Sequence, residues 1–215
     1  ERREGFAMDA QICMQKMKLA GTLAMATVDE SGLPQIRCVS AVHYEPDAVY
    51  FFTARGKEMS KQLLADGHLQ TMVHTRFNEM IRMSGVARPA PQDEQKKWID
   101  CIFQEQPYLA NVYPGETRSI GIVHKISEIT FDYFNLGVKP IERGVYTLNG
   151  ARVKRGGYRI SADCIGCGKC AAVCPQKCIV AGEPYVIRQE HCLHCGACAE
   201  ACPVGAARFV QEERE

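Results

Sequence analysis

The sequence predicts a mainly β chain with helices, in two parts. An antiparallel barrel fills residues 1–149, a short link spans 150–157, and a small α+β domain occupies 158–215. Three observations carry this reading. Short β-rich runs alternate with turn signals through the first part. The run N-G-A-R-V-K-R-G-G, Asn149 to Gly157, is glycine-rich and basic, with little apolar periodicity. Beyond it, one cysteine pattern occurs twice, 28 residues apart.

Composition narrows the function classes. A chain of 215 residues, 46% hydrophobic and 24% charged, buries a core as one large or two smaller domains. A formal net charge of +1 gives no reason to expect nucleic acid or an anionic membrane as partner. Residues 158–215 hold six basic and seven acidic residues, so the division between the parts is compositional rather than electrostatic. No apolar window is long enough to span a bilayer, and E-R-R-E-G is no signal segment. A first residue of Glu1 leads us to expect that a few preceding residues are missing. Twelve cysteines suit a secreted disulfide scaffold in principle, but their fixed spacing favours metal ligation in a reducing cytoplasm.

The elements follow in order. Met8, Ile12, Cys13, Lys16 and Leu19 fall at helical spacing, with Asp9 near the start and Gly21 past the end. T-L-A-M-A-T-V, the turn D-E-S-G-L-P and Q-I-R-C-V-S-A-V-H-Y then read as a hairpin. A turn at Glu45–Asp47 leads into A-V-Y-F-F-T, and a helix begins around Gly56 to Lys57. H-L-Q-T-M-V-H-T-R and M-I-R-M-S-G-V-A form a second strand pair across Asn78–Glu79. A helix carrying Trp98, Ile99 and Ile102 follows Pro91, and two long strands, 119–134 and 139–148, close the region. Six or so antiparallel strands at these intervals predict a closed barrel with helices outside it.

The candidate site of this half is F-F-T-A-R-G-K-E-M-S-K. Lys57 and Lys61 stand at i and i+4, so both amines project from one face of the first turns. Two cations there oppose the helix dipole unless an anion joins the free N–H groups. Thr53 adds a hydroxyl. The alternative is a solvated helix with two ordinary surface lysines. His43, His68, His74 and His124 show no metal-ligand spacing and read as surface or partly buried histidines. Cys13 and Cys101 read as core filler. Cys38, with no charge partner in view, reads as a packing residue before a redox one.

The order A-M-A-T-V-D-E-S-G-L-P-Q-I-R, V-Y-F-F-T, lysine-bearing helix, M-I-R-M-S-G-V-A resembles the pyridoxamine-phosphate-oxidase-like FMN-binding split barrel over residues 5–148. The resemblance implies FMN at a homodimer interface. Arg37, Cys38 and Val39 would line the flavin, Thr53, Lys57 and Lys61 would hold its phosphate, and Arg82 would assist. Tyr108, Tyr113 and Arg118 lie in a segment that could reach a partner's flavin, but no role is assigned to them. The family's oxidases end in an R-L-H-D-R-type substrate segment that is absent here, which separates the FMN from the named oxidase activity.

The cysteine runs read C-I-G-C-G-K-C-A-A-V-C-P from Cys164 and C-L-H-C-G-A-C-A-E-A-C-P from Cys192. The spacing C-x2-C-x2-C-x3-C-P suits [4Fe–4S] clusters. Zinc usually takes two C-x2-C pairs, whereas here three cysteines fall within seven residues, twice. At an offset of 28, Ile165 falls on Leu193, Gly168 on Gly196, Ala171 on Ala199 and Pro175 on Pro203. A short strand is expected before each run, at 158–160 and 186–188. Residues 157–210 resemble the two-cluster bacterial ferredoxin, which implies two [4Fe–4S] clusters with the fourth cysteine of each run crossing over. Cluster one would use Cys164, Cys167, Cys170 and Cys202; cluster two would use Cys192, Cys195, Cys198 and Cys174. Cys178, aligned with Ala206, reads as a small packing residue.

Together these features predict an oxidoreductase in which clusters relay single electrons to or from FMN and the flavin reduces a small organic substrate. No Rossmann fingerprint is present, so the expected donor is a ferredoxin or a partner oxidoreductase in an anaerobic cytoplasm. Two other readings stay open: an electron-transfer module serving a protein partner, and a redox sensor. The last would need an effector surface, and no helix-turn-helix or basic stripe is visible. Tyr44, His43 and Arg37 lie near the flavin-lining strand, but no general acid is assigned.

Overall fold

The computed structural model describes residues 8–214; the start of the resemblance, residues 5–7, lies outside them. The chain divides into two compact units. One runs up to Thr75 and adds 81–131 and 146–151; the other joins 76–80, 132–145 and 152–215.

In the first unit, α1 (Ala10–Ala20) starts where Asp9 accepts a hydrogen bond from Ile12 N and stops at Gly21, whose φ of 76° is open to glycine. Its buried face is Ala10, Cys13, Met14 and Met17. The expected stripe is therefore corrected: Leu19 is 87% exposed, because the helix turns Met14 and Met17 rather than Ile12 and Lys16 toward the core. β1 (Leu23–Val28) and β2 (Pro34–Val39) form the predicted hairpin, in register from Leu23 opposite Val39 to Val28 opposite Pro34. Asp29 closes its turn by accepting from the Ser31 and Leu33 N–H groups.

The run expected as one strand through Tyr44 is two. It breaks at Ser40–Ala41 and resumes as β3 (Val42–Glu45), which pairs with β4 (Ala48–Ala54) in a different sheet. The predicted strand 119–134 is likewise split into β8 (Gly121–Ile126) and β9 (Ile129–Asn135), preceded by a 3-10 turn over Gly115–Ile120. Alternation alone does not reveal a change of sheet, because a strand that crosses keeps its period of two. With α2 (Glu58–Ala65), β5 (His68–His74), β6 (Glu79–Val86), β7 (Arg88–Pro89), α3 (Gln95–Glu105), α4 (Leu109–Val112) and β10 (Glu142–Leu148), the strands order as β10-β9-β6-β5-β1-β2 and β3-β4-β8-β7. Two sheets replace the closed barrel that the strand count suggested, and they form the antiparallel split barrel that the resemblance implies.

β4 lies between β3 and β8, and six of its seven residues are buried. Helix α3 covers this sheet. Trp98 stacks on Tyr50 at 3.9 Å, and Phe52 meets Phe103 and Tyr113 edge-on. Gln95 fixes the helix by donating to the Ala90 and Val123 carbonyls and accepting from Val123 N. Gly121 is required where it stands, since a Cβ there would collide with the Phe52 ring.

In the second unit, β11 (Val153–Ile160) pairs along its length with β14 (Ala207–Arg214). The expected link over 150–157 is thus mostly strand. Its glycines do not interrupt the ladder, because the C-terminal segment supplies a full antiparallel partner. β12 (Ile179–Val180) pairs with β13 (Val186–Ile187), so a strand does precede each cysteine run. Two short helices, α5 (Lys169–Val173) and α6 (Ala197–Glu200), occupy equivalent places in the two copies.

Candidate cofactor sites

In the barrel unit the break between β2 and β3, the end of β4, the start of α2 and the short α4 enclose one cavity of about 450 Å³. Arg37, Cys38 and Val39 come to it from β2, Thr53 from β4 and Lys57 from the N-cap of α2. The structure therefore brings together five of the seven residues singled out for a flavin. Of the other two, Lys61 is exposed and forms an ion pair with Glu58 at 2.7 Å, and Arg82 is an exposed residue of β6 outside the lining.

Two features of this cavity suit an anion. Helix α2 begins without a side-chain cap, so the first-turn N–H groups face outward unsatisfied by a side chain. The Thr53 hydroxyl is buried and has no hydrogen-bond partner among the described residues. A buried hydroxyl without a partner costs roughly 1–3 kcal/mol, which a phosphate oxygen within reach would offset. The donor set of hydroxyl, ammonium and helix N–H groups fits a phosphate ester.

Arg37 has a structural task as well. Its guanidinium donates to Thr27 Oγ1 at 2.6 Å and to Gln62 Oε1 at 3.0 Å, so it ties β2 to α2 across β1. Cys38 is exposed in the single chain, on the face of β2 opposite Arg37, while Cys13 is buried and Cys101 packs against the Trp98 core as expected. Sequence reasoning missed Phe52, Met59, Leu109 and Val112, the apolar wall of the cavity. The only available signal was the apolar spacing of L-A-N-V-Y, too short to be read as a helix. Tyr113 lines this chain's own cavity, and Arg118 pairs with Asp100 at 3.2 Å.

His43 is held between Glu45 at 2.7 Å and Glu105 at 3.0 Å, and Glu105 also meets Lys18. Tyr44, whose phenol burial pushes to higher pKa, lines a second opening with Ser40, Glu105 and Tyr108. His124 is fully buried, stacks on Phe51 at 5.3 Å, and has neither ring nitrogen hydrogen-bonded. Burial lowers its pKa to about 4. His68 and His74 are exposed strand residues.

The cysteine-rich unit contains two cavities, and each takes cysteines from both runs. Cys164, Cys167, Cys170 and Cys202 line the first. Cys174, Cys192, Cys195 and Cys198 line the second. Among the described residues no group of three or more His, Cys, Asp or Glu side chains is arranged to hold a single metal ion. Four thiols spread round a cavity are instead the donor set of a multi-atom cluster. Gly168 and Gly196 begin the short helices at φ 71° and 86°. A Cβ on Gly196 would press on the Tyr158 hydroxyl at 2.9 Å, and one on Gly168 would approach Tyr185 at 3.2 Å. The tyrosines cross over too: Tyr158 precedes the first run but lines the second cavity, and Tyr185 precedes the second run but lines the first. Cys178 lines the second cavity, with Sγ 3.6 Å from that of Cys174, and burial together with Cys174 pushes its thiol up to about 12.

The comparisons with known proteins divide in the same way. Residues 14–130 match the family described as pyridoxamine 5'-phosphate oxidase, and residues 163–206 match the 4Fe-4S dicluster domain. The pyridoxine/pyridoxamine 5'-phosphate oxidase of Bradyrhizobium sp. (strain BTAi1) is 26% identical over 91 residues, covering 42% of this chain and 40% of that protein. That of Rhodopseudomonas palustris (strain HaA2) is also 26% identical over 91 residues, 42% of this chain and 41% of its own. The chain thus spans about two fifths of the length of these curated relatives. Among solved structures, a NimC/NimA family protein from Clostridium acetobutylicum is similar at a TM-score of 0.54 with 16% identity, covering 64% of this chain and 90% of that one. A pyridoxamine 5'-phosphate oxidase-related, FMN binding protein from Nostoc punctiforme has a TM-score of 0.50 with 20% identity, over 63% and 85% of the two chains. At these identities the structural likeness establishes the split-barrel fold.

Proposed function

Since the chain belongs to the pyridoxamine 5'-phosphate oxidase family through residues 14–130 and carries a 4Fe-4S dicluster domain, we propose that it is an iron–sulfur flavoprotein reductase. In this reading it holds FMN and two [4Fe–4S] clusters and reduces a small organic molecule. When bound, FMN exchanges one or two electrons and each cluster exchanges one, so the pair matches single-electron supply to two-electron delivery. The single observation that carries the reading is that one chain has both the cavity joining Arg37–Val39 to Thr53 and Lys57 and the two four-cysteine cavities.

The chain's residues have definite tasks in it. Thr53, Lys57 and the first turn of α2 hold the phosphate. Phe52, Leu109, Val112 and Tyr113 supply the apolar wall that keeps water from a flat ring. Cys164, Cys167, Cys170 and Cys202 hold one cluster, and Cys174, Cys192, Cys195 and Cys198 hold the other. The donor is an external one-electron protein carrier in an anaerobic cytoplasm.

A homodimer through the barrel belongs to the same proposal. Register places Ala24 beside Cys38 and Met72, and Ala26 beside Ile36, on one sheet face. Ile36 is 75% exposed and Met72 41%, so this face, small and apolar apart from the exposed Gln70 beside Ala26, is open in the single chain. Ile36→Asp should convert a dimer to a monomer in sedimentation; a wild-type monomer would refute the arrangement.

Anaerobic purification with iron, sulfide and flavin counts tests the cofactors. About eight irons and one FMN per chain are expected from two [4Fe–4S] clusters and one flavin site. Near-zero flavin would sink the FMN assignment. Stopped-flow reoxidation then separates the proposed reductase from an electron-transfer module. A reductase is reoxidised at a useful rate by some compound of a substrate panel; a module responds only to a protein partner.

A further inference from the structure

The two cluster sites come from one repeat but do not have equal surroundings. At the first site only Cys170 is buried, Cys164 and Cys202 are half-buried, and Cys167 is exposed. At the second, Cys174, Cys192 and Cys198 are buried and Cys195 alone is exposed. Part of this difference comes from outside the repeat. Ile141 N donates to Gln176 Oε1 at 3.1 Å, and the Ile141 carbonyl lies 2.8 Å from His191 Nδ1. Two residues on, in β10, Arg143 donates from Nη1 to the carbonyl of Cys192 at 3.3 Å. Its other terminal nitrogen is 3.9 Å from Asp132 on β9, and its guanidinium stands 5.9 Å over the Phe134 ring.

A guanidinium is thus held against the backbone of one ligand at one site. Among the described residues neither cavity is lined by a charged side chain; Arg143 reaches the second from outside its lining, through the Cys192 carbonyl. Reducing a four-cysteine cluster adds a negative charge to a centre that is already negative. Burial by itself makes that addition harder, whereas a fixed cation favours it, and it does so more strongly where water is scarce. Net charge, hydrogen bonding and exposure are the terms that set such potentials. At the second site a held cation and deeper burial occur together; at the first the ligands are more open, and Lys169 beside Cys170 is an exposed lysine.

We propose that Arg143 is a tuning residue that raises the reduction potential of the Cys174–Cys192–Cys195–Cys198 cluster, against the lowering that burial of its ligands brings. The inference deepens the reading above and rests on the assignment of the eight cysteines to two [4Fe–4S] clusters.

The test is an anaerobic redox titration of the full-length protein with dithionite, followed by electron paramagnetic resonance. Iron is counted first. A wild-type count well below eight overturns the cluster assignment itself, independently of Arg143. Cys167→Ser alters the first site and so marks which signal belongs to it. Arg143→Gln should then lower only the second potential, by at least the tenfold change in reduced-to-oxidised ratio that corresponds to 59 mV for one electron. Arg143→Lys should restore most of the shift. Asp132→Asn, which removes the opposing carboxylate, should move the second potential in the other direction. A merely structural role for this pair would send Gln and Asn variants the same way. Unchanged potentials in Arg143→Gln at full iron content, or equal shifts at both clusters, would overturn the proposal. If the Gln variant loses iron, the near-wild-type second potential expected for Arg143→Lys and the raised one expected for Asp132→Asn decide the matter.

Discussion

The barrel unit and the cysteine-rich unit solve the problem of stability differently. The barrel buries Phe51, Phe131, Met17, Leu23, Met25 and Ile81 to 1% exposure or less, so its interior is complete without any ligand. In the other unit the packed interior consists of Cys170, Cys174, Cys178, Cys192 and Cys198 with Ile179, Ile187 and Ala207. Four of those five thiols are the proposed ligands. A core made of ligands is held by what it binds, because thiol groups bring little apolar area and repel one another once ionised.

The largest expected effect follows directly. Anaerobic iron removal should unfold the cysteine-rich segment and leave the barrel folded. Hydrogen exchange should rise steeply over 153–214 while β1, β4 and β8 remain protected. Equal protection of both regions after complete iron loss would break the comparison.

This contrast also explains what was legible in the sequence. Cysteine spacing is a local quantity, and C-x2-C-x2-C-x3-C-P marked eight of the nine thiols that line the two cavities without knowledge of the fold. The barrel cavity is assembled from separate elements. Arg37, Thr53 and Lys57 were legible because a strand and a strand-to-helix turn carry them in short runs. Phe52, Leu109 and Val112 were not, since nothing in their neighbourhood states that α4 folds back onto β4. The breaks at Ser40–Ala41 and Ser127–Glu128 were hidden for a related reason: β-rich residues continue through both. The link over 150–157 was misread because its strand partner, β14, lies over fifty residues away in sequence.

A second prediction concerns the barrel alone. His124 is buried with its pKa depressed to about 4, against an ordinary value of 6.5. The unfolded chain therefore binds a proton between those values that the folded chain refuses. The stability that this residue contributes is fully present above about pH 6.5 and is lost as pH falls toward 4, by about 3 kcal/mol in all. Urea titrations across that window should show the decline, and His124→Leu should flatten it without altering the iron count. An unchanged slope in the variant would assign the pH dependence elsewhere.

Smaller effects sharpen the phosphate site. Lys57→Ala should weaken FMN roughly tenfold, since one charge-assisted contact contributes about 1.5 kcal/mol. Lys61→Ala should do much less, because Glu58 already occupies that ammonium. Thr53→Val separates binding from stability by sign: it should weaken FMN yet leave the flavin-free protein as stable as before or more so, because it removes a buried hydroxyl without a partner. Flavin fluorescence titration reads the first effect and thermal unfolding of the flavin-free protein the second. In none of these variants should the cluster absorbance change.

The smallest effect is expected at Cys178, and it bears on which thiols are ligands. Its thiol stays protonated, pushed up to about 12 by burial and by Cys174 beside it. It also stands 3.6 Å from the Cys174 sulfur, close enough to be mistaken for a ligand. The equivalent position in the second copy of the repeat is Ala206, 1% exposed, so a side chain without sulfur fits the same fold. Cys178→Ala should therefore cost about 1 kcal/mol, the scale of a small buried group removed, and keep about eight irons per chain, the content of two [4Fe–4S] clusters. Cys174→Ala should instead cost the second cluster. The reverse result, iron halved by the change at Cys178 and retained by the change at Cys174, would mean that the chain hands its fourth thiol across four residues later than the repeat implies.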